Sequence, residues 1–117
     1  MLEYKQVAIA KKSIMQVQSQ RYTPEQYLEL EEKADYKSEY RDGEIVAMTG
    51  GTTNHNELAG NLCAYLKLAL RQKNYKVYIG DARLWIPLYR LYTYPDVMVI
   101  QGQPIYERKG KTTVTNP

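Results

Sequence analysis

The stretch from residue 50 to residue 87, "GGTTNHNELAGNLCAYLKLALRQKNYKVYIGDARLWIP", decides the fold. It opens on a glycine-rich loop and becomes helical near Asn54, with Glu57 three residues on in the spacing of a capping box. Leu58, Leu62, Tyr65, Leu66 and Ala69 recur at helical spacing and form the expected core stripe. Cys63 lies beside that stripe as a small buried hydrophobe. Lys67, Arg71 and Lys73 crowd the last turns, where cations suit the negative end of the helix dipole. The period then shortens to two. "YKVYI" (75–79) reads as a strand, and "ARLWIPL" (82–88) as another after Gly80-Asp81. A long amphipathic helix leading into strands buries its apolar face on a sheet, so the class is α+β or mixed α/β.

Working outward, "TPEQYLELEEKAD" (23–35) carries a second helix start. Thr23 is a good N-cap, Pro24 suits the first helical position, and Gln26 completes a capping box. That helix is expected to reach about Ala34, with Tyr27, Leu28, Leu30 and Ala34 available to a core. "YKSEYRDGEIVAM" (36–48) places a two-residue Asp42-Gly43 connection between alternating runs, the strongest short-range hairpin signal. In "LYTYPDVMVI" (91–100), Val97 to Ile100 read as a short buried strand between Pro95 and Gly102. Asp96, at its mouth, has two readings: a turn residue holding its own backbone, or a metal-binding carboxylate on a rigid element. The final "GKTTVTNP" (110–117) reads as a connection ending in an Asn-Pro loop signal. Residues 1–20 show no sustained period and are expected to form a loosely ordered tail before a single folded region over 21–117.

The chain of 117 residues is long enough for one modest core, and its 44% apolar and 25% charged content is that of an ordinary globular protein. A single cysteine excludes an internal disulfide and a cysteine-based zinc site, which fits a reducing, cytoplasmic compartment. No apolar run approaches a membrane span and no secretory pattern is read at the start, so no membrane partner is expected. The net charge of +3 is unevenly spread. Residues 22–60 carry nine acids against three bases, and residues 67–90 carry six bases against Asp81 alone. The basic half reads either as a surface tracking a phosphate backbone or as a solvated helix face and strand edge.

Five separated segments agree in order with a known pattern: the Thr23-Pro24-Glu25 helix start, "EYRDGE" (39–44), "GGTTNHN" (50–56), "DAR" (81–83) and "YPDV" (94–97). Together they resemble the Uma family ("Uma two") of restriction-type endonucleases, over roughly residues 22–117. The resemblance implies a PD-(D/E)XK nuclease-like fold in which a mixed sheet carries a metal site. Pro95-Asp96 matches the "PD" element, which makes Asp96 the first metal-binding carboxylate and Mg²⁺ or Mn²⁺ the implied ion. Asp81, the second metal residue by the same resemblance, and Glu39 match acidic positions near the family's site. His55 and Asn56 match its Asn-His-Asn helix start. Each has a plainer reading beside it: Glu39 as a cross-strand partner of a basic residue, Asp81 as a turn former, His55 as a helix-start hydrogen bonder.

In the family pattern a second acid sits on a strand after an "NP"-like loop, and a lysine follows. This sequence reaches Pro117 at that loop, and neither Lys109 nor Lys111 follows a hydrophobic strand with an acid two residues before it. The expectation is therefore the N-terminal portion of a nuclease-like domain, with the C-terminal part of the fold missing. Such a chain would derive from a metal-dependent DNA endonuclease and be inactive alone. The alternative is a non-catalytic nucleic-acid-binding or self-associating remnant. In either case the open sheet edge expected near residues 96–100 favours a homo-oligomer.

Overall fold

Helix α1 (Pro24–Lys33) starts where the sequence sets its cap in the computed structural model, which describes residues 20–108 and 110–117. The Thr23 hydroxyl accepts the Gln26 N–H at 3.1 Å, and the Gln26 side chain accepts the Thr23 N–H at 2.8 Å. Both arms of the capping box are present, so two otherwise orphaned donors are satisfied. The expected tail lies, Gln20 aside, outside the described residues.

The chain divides into two compact units. The first holds the described residues up to Thr49 together with Pro87–Leu91. Here β1 (Ser38–Arg41) and β2 (Glu44–Ala47) pair antiparallel, in the register Ser38↔Ala47 to Arg41↔Glu44. Asp42 and Gly43 both have positive φ, 45° and 100°, as a two-residue hairpin turn matched to strand twist requires. A Cβ on Gly43 would meet Arg21 Nε at 2.9 Å, an exposed side chain able to shift, so it is the positive φ that calls for glycine there. The turn is held from outside by Arg90, whose Nε donates to Asp42 Oδ1 at 3.0 Å and whose Nη2 donates to Tyr40 OH at 3.1 Å.

Tyr27, Tyr40 and Ile45 form the buried centre of this unit. The Tyr27 hydroxyl donates to the Ser38 carbonyl at 2.6 Å, and its ring lies 5.4 Å from that of Tyr40. Of the core expected on α1 only Tyr27 is fully buried; Leu28, Leu30 and Ala34 are half-buried. The other buried position is Glu31, one turn on, whose carboxylate accepts the Ser38 N–H at 2.9 Å. That bond gives a buried strand amide its acceptor from the helix.

The second unit holds Gly50–Ile86 and Tyr92–Pro117. Helix α2 (Thr53–Ala69) leads to β3 (Tyr75–Ile79) and β4 (Arg83–Ile86); β5 (Leu91–Thr93), β6 (Val97–Gln101) and β7 (Thr113–Val114) follow. Strands β3 and β6 pair antiparallel about Val77↔Val99. Strand β4 lies between β5 and β7, and its pairing with β7 is parallel. Leu84, Met98, Ile100 and Val114 make the core, with Tyr78, Ala82 and Ile86 packed against it.

Three expectations are corrected here. The cap of α2 is Thr52, whose hydroxyl accepts the His55 N–H at 3.1 Å, so Asn54 and Glu57 lie inside the helix and form no capping box. The apolar stripe is only partly used. Leu58, Leu62 and Tyr65 are 70%, 50% and 68% exposed, while Cys63 is buried and Ala59, Leu66 and Leu70 are half-buried. The small side chains of Ala59 and Cys63 let the helix approach the β3–β6 pair, and that selects the flank turned inward. Finally, "GKTTVTNP" is more than a connection. Val114 is buried, and Asn116 accepts the Ile105 N–H at 2.7 Å and donates to the Gln103 carbonyl at 3.0 Å.

Candidate functional site

The N-terminus of α2, the end of β3 and the start of β6 converge on Asp96. Strand pairing runs as far as Ile79↔Val97, and one residue beyond it the Gly80 N–H donates to the Asp96 carbonyl at 3.1 Å. That bond fixes the backbone of Asp96 relative to the β3–β4 turn. On the helix side, Thr52 holds the backbone of His55, which leaves the imidazole free to reach across. His55 Nε2 lies 3.0 Å from Asp96 Oδ2.

Gly51 makes this reach feasible. A Cβ at that position would stand 3.0 Å from His55 Cδ2 and 3.2 Å from Cγ, so any larger residue pushes the ring. Both partners remain more than half exposed, 53% for His55 and 62% for Asp96. An ion pair so exposed contributes about 1 kcal/mol or less to stability. Its significance is geometric: the imidazole orients a carboxylate that stays largely exposed.

The remaining sequence candidates sit elsewhere. Asp81 occupies the β3–β4 turn next to Gly80 and lines an open groove of about 480 Å³ with Cys63, Lys67 and Lys111; His55 and Asp96 are not among its lining. Glu39 belongs to the other unit, on β1, where Arg41 donates to its Oε1 at 2.6 Å. The basic partner of Glu39 is thus two residues along its own strand; across the hairpin it faces Val46. Among the described residues no three of His, Cys, Asp and Glu are grouped so as to hold a metal ion.

Arg83, quoted in the "DAR" segment without a role, proves to be the hub of the second unit. Its guanidinium donates to Thr113 Oγ1 at 2.8 Å and Tyr94 OH at 3.2 Å, and lies 5.8 Å from the centroid of Tyr92. Tyr92 in turn donates to Glu107 Oε1 at 2.6 Å. Burial first, and that bond second, push its phenol up to about 12. An arginine between apolar runs and followed by Tyr-rich sequence was the only available signal, and it does not name its partners.

With this geometry, residues 24–117 match the family described as "Putative restriction endonuclease", Uma2. The chain belongs to the Uma2 family. "Uncharacterized protein sll1609" of Synechocystis sp. is 42% identical over 95 residues, covering 81% of this chain and 54% of that protein. "Uncharacterized protein slr1290" of the same organism is 35% identical over 95 residues, covering 81% and 49%. A crystal structure described as "a putative nuclease belonging to DUF820", from Anabaena variabilis, superimposes with a TM-score of 0.63 at 19% identity. It covers 82% of this chain and 52% of the other. The fold is therefore that of a nuclease-like, restriction-endonuclease-like protein, as the sequence pattern implied. The chain spans about half the length of the curated relatives it matches. No helix among the described residues is long and apolar enough to cross a membrane.

Proposed function

We propose that this chain carries the Asp96 half of a metal-dependent endonuclease site that hydrolyses phosphodiester bonds of DNA. The observation that carries the reading is the His55–Asp96 pair at 3.0 Å, built where a helix start and two strand ends meet. The donor chemistry fits a hard cation. Mg²⁺ keeps several waters and takes one or two carboxylates plus substrate phosphate, and Asp96 offers a largely exposed carboxylate. Asp96 would hold the ion, which when bound lowers the pKa of a water and polarises a phosphate; Asp81, which lines the neighbouring groove beyond the turn that Gly80 holds against Asp96, is the candidate for a second carboxylate. His55 is a positioning residue: its Nε2–H restricts the rotation of Asp96. Glu39 has no assigned part in this site.

Titration with Mn²⁺ tests the assignment. Wild type binds weakly, because one or two carboxylates without a substrate phosphate hold the ion poorly, and Asp96→Asn loses most of that affinity. His55→Ala weakens it less, through the freed carboxylate. Equal Mn²⁺ affinity in wild type and Asp96→Asn would remove Asp96 from the site. Against supercoiled plasmid with Mg²⁺ or Mn²⁺, residues 1–117 alone are expected to leave the DNA intact. The resemblance places a second acid and a lysine outside them, and a loosened site loses on the order of 100-fold per ångström. Nicking by wild type that Asp96→Asn lacks would instead locate the full activity within these residues.

A further inference from the structure

At the far end of α2 from His55, a second groove of about 340 Å³ opens between the last helical turn and the start of β3. Lys67, Arg71, Lys73 and Lys76 line it, and no acid does. The sequence put these cations at a helix terminus and a strand edge; the fold gathers them into one concavity. The gathering has a local cause. After Ala69 the helix closes with the Leu70 N–H on the Leu66 carbonyl, and Gln72 takes a φ of 64°, reversing the chain. The Lys73 N–H returns to Leu70 O at 3.1 Å, which tightens the turn into β3, and Lys73 lines the groove with Lys67 and Arg71. Tyr75, 40% exposed, adds an aromatic face to the same wall.

The plain reading is that Lys67 and Arg71 merely complement the helix dipole. Magnitudes argue against that being sufficient. A helix C-terminus carries about half a negative charge, whereas four full cations line the groove. Among the described residues none of the four has an ion-pair partner, although the chain has thirteen acids and pairs Lys33, Arg41, Arg90 and Arg108 elsewhere. Concave, unneutralised positive charge raises the local concentration of polyanions.

We infer that this groove binds the phosphodiester backbone of duplex DNA. Side chains that contact phosphates position a duplex, and the groove presents four cations beside Tyr75 and Tyr78. Its placement suits the reading proposed for Asp96, on which this part of the inference rests. Fourteen residues of helix at 1.5 Å each separate Ala69, at the groove end of the helix, from His55 by roughly 21 Å. Phosphates on one strand advance about 3.4 Å per base pair, so a duplex lying along the helix from the groove meets Asp96 about six base pairs on.

The test is fluorescence anisotropy of the whole chain with a labelled 20-base-pair duplex, without metal, between 50 and 200 mM salt. Four phosphate contacts give a slope of log affinity on log salt of about −3.6, a loss of roughly 150-fold over that range. Arg71→Gln with Lys76→Gln halves the slope to about −1.8 and weakens binding at the lowest salt. Lys33→Gln with Lys37→Gln removes the same charge from α1 and the segment after it, and leaves the slope unchanged. Thermal melts confirm that each variant is folded. Equal effects of the two pairs would assign binding to net charge and overturn the groove. No binding by wild type at 50 mM salt would overturn it too, and would leave a protein partner as the occupant to seek. Neither result touches the Mn²⁺ affinity of Asp96, which is read separately.

Discussion

Replacing Glu31 by alanine should destabilise the first unit more than replacing any residue of the apolar set read on α1 other than Tyr27. Glu31 is buried, and its carboxylate accepts the N–H of Ser38, a residue with no exposed surface. Truncation leaves that amide without the acceptor, at a cost of about 1–3 kcal/mol. Removing the buried methylene adds about 0.8 kcal/mol. The sum of about 2–4 kcal/mol corresponds, at about 4 °C per kcal/mol for a chain of this size, to a Tm lowered by about 8–16 °C. Glu31→Gln keeps an oxygen in place but exchanges a charge-assisted bond for a neutral one, costing about 1 kcal/mol. The assay is thermal and urea unfolding of the three proteins followed by far-ultraviolet circular dichroism. Equal losses in the two variants would refute the reasoning, because the acceptor would then be irrelevant. So would a loss below about 0.5 kcal/mol in Glu31→Ala.

Two further outcomes follow from the second unit. Leu62→Gln should change stability by no more than about 0.5 kcal/mol, while Cys63→Asp, which buries an unpartnered carboxyl, should cost more than about 2 kcal/mol. The reverse order in unfolding experiments would show that the sequence stripe, rather than the observed flank, faces the sheet. The Tyr92 phenol is pushed up to about 12 from an ordinary 10 by burial and by its bond to Glu107. Its neutral form is therefore favoured in the fold. The associated stability is fully present below pH 10 and is lost as pH rises from 10 through 12, up to about 3 kcal/mol in all. Tyr92→Phe should flatten that part of the pH–stability curve, and an unchanged alkaline limb would refute the assignment.

Local chemistry was legible in the sequence wherever a few neighbouring residues decide the outcome. Thr23 and Gln26 close a capping box on each other, and Asp42-Gly43 adopts the two positive φ angles its hairpin needs. Both depend on contacts within three residues, so composition and spacing suffice. The long helix and the strands at 75–79 and 97–101 were visible for the same reason, as changes of period. The motifs also named Asp96 and His55, though not that the two meet.

Tertiary structure decided everything that depends on which surfaces face each other. A helix apolar over a wide arc does not say which flank the sheet will cover; small residues at Ala59 and Cys63 settled it. A carboxylate such as Glu31 looks solvated in sequence until the helix packs and a strand amide seven residues on, that of Ser38, needs an acceptor. Val114, in what reads as a loop, is buried because β4 offers it a parallel neighbour. The pairing of His55 with Asp96 and the gathering of Lys67, Arg71, Lys73 and Lys76 belong to the same class. Charge and hydrogen-bonding capacity are written residue by residue, but their convergence requires the chain to turn back on itself, and hydrophobic burial of the β3–β6 pair under α2 brings those turns about.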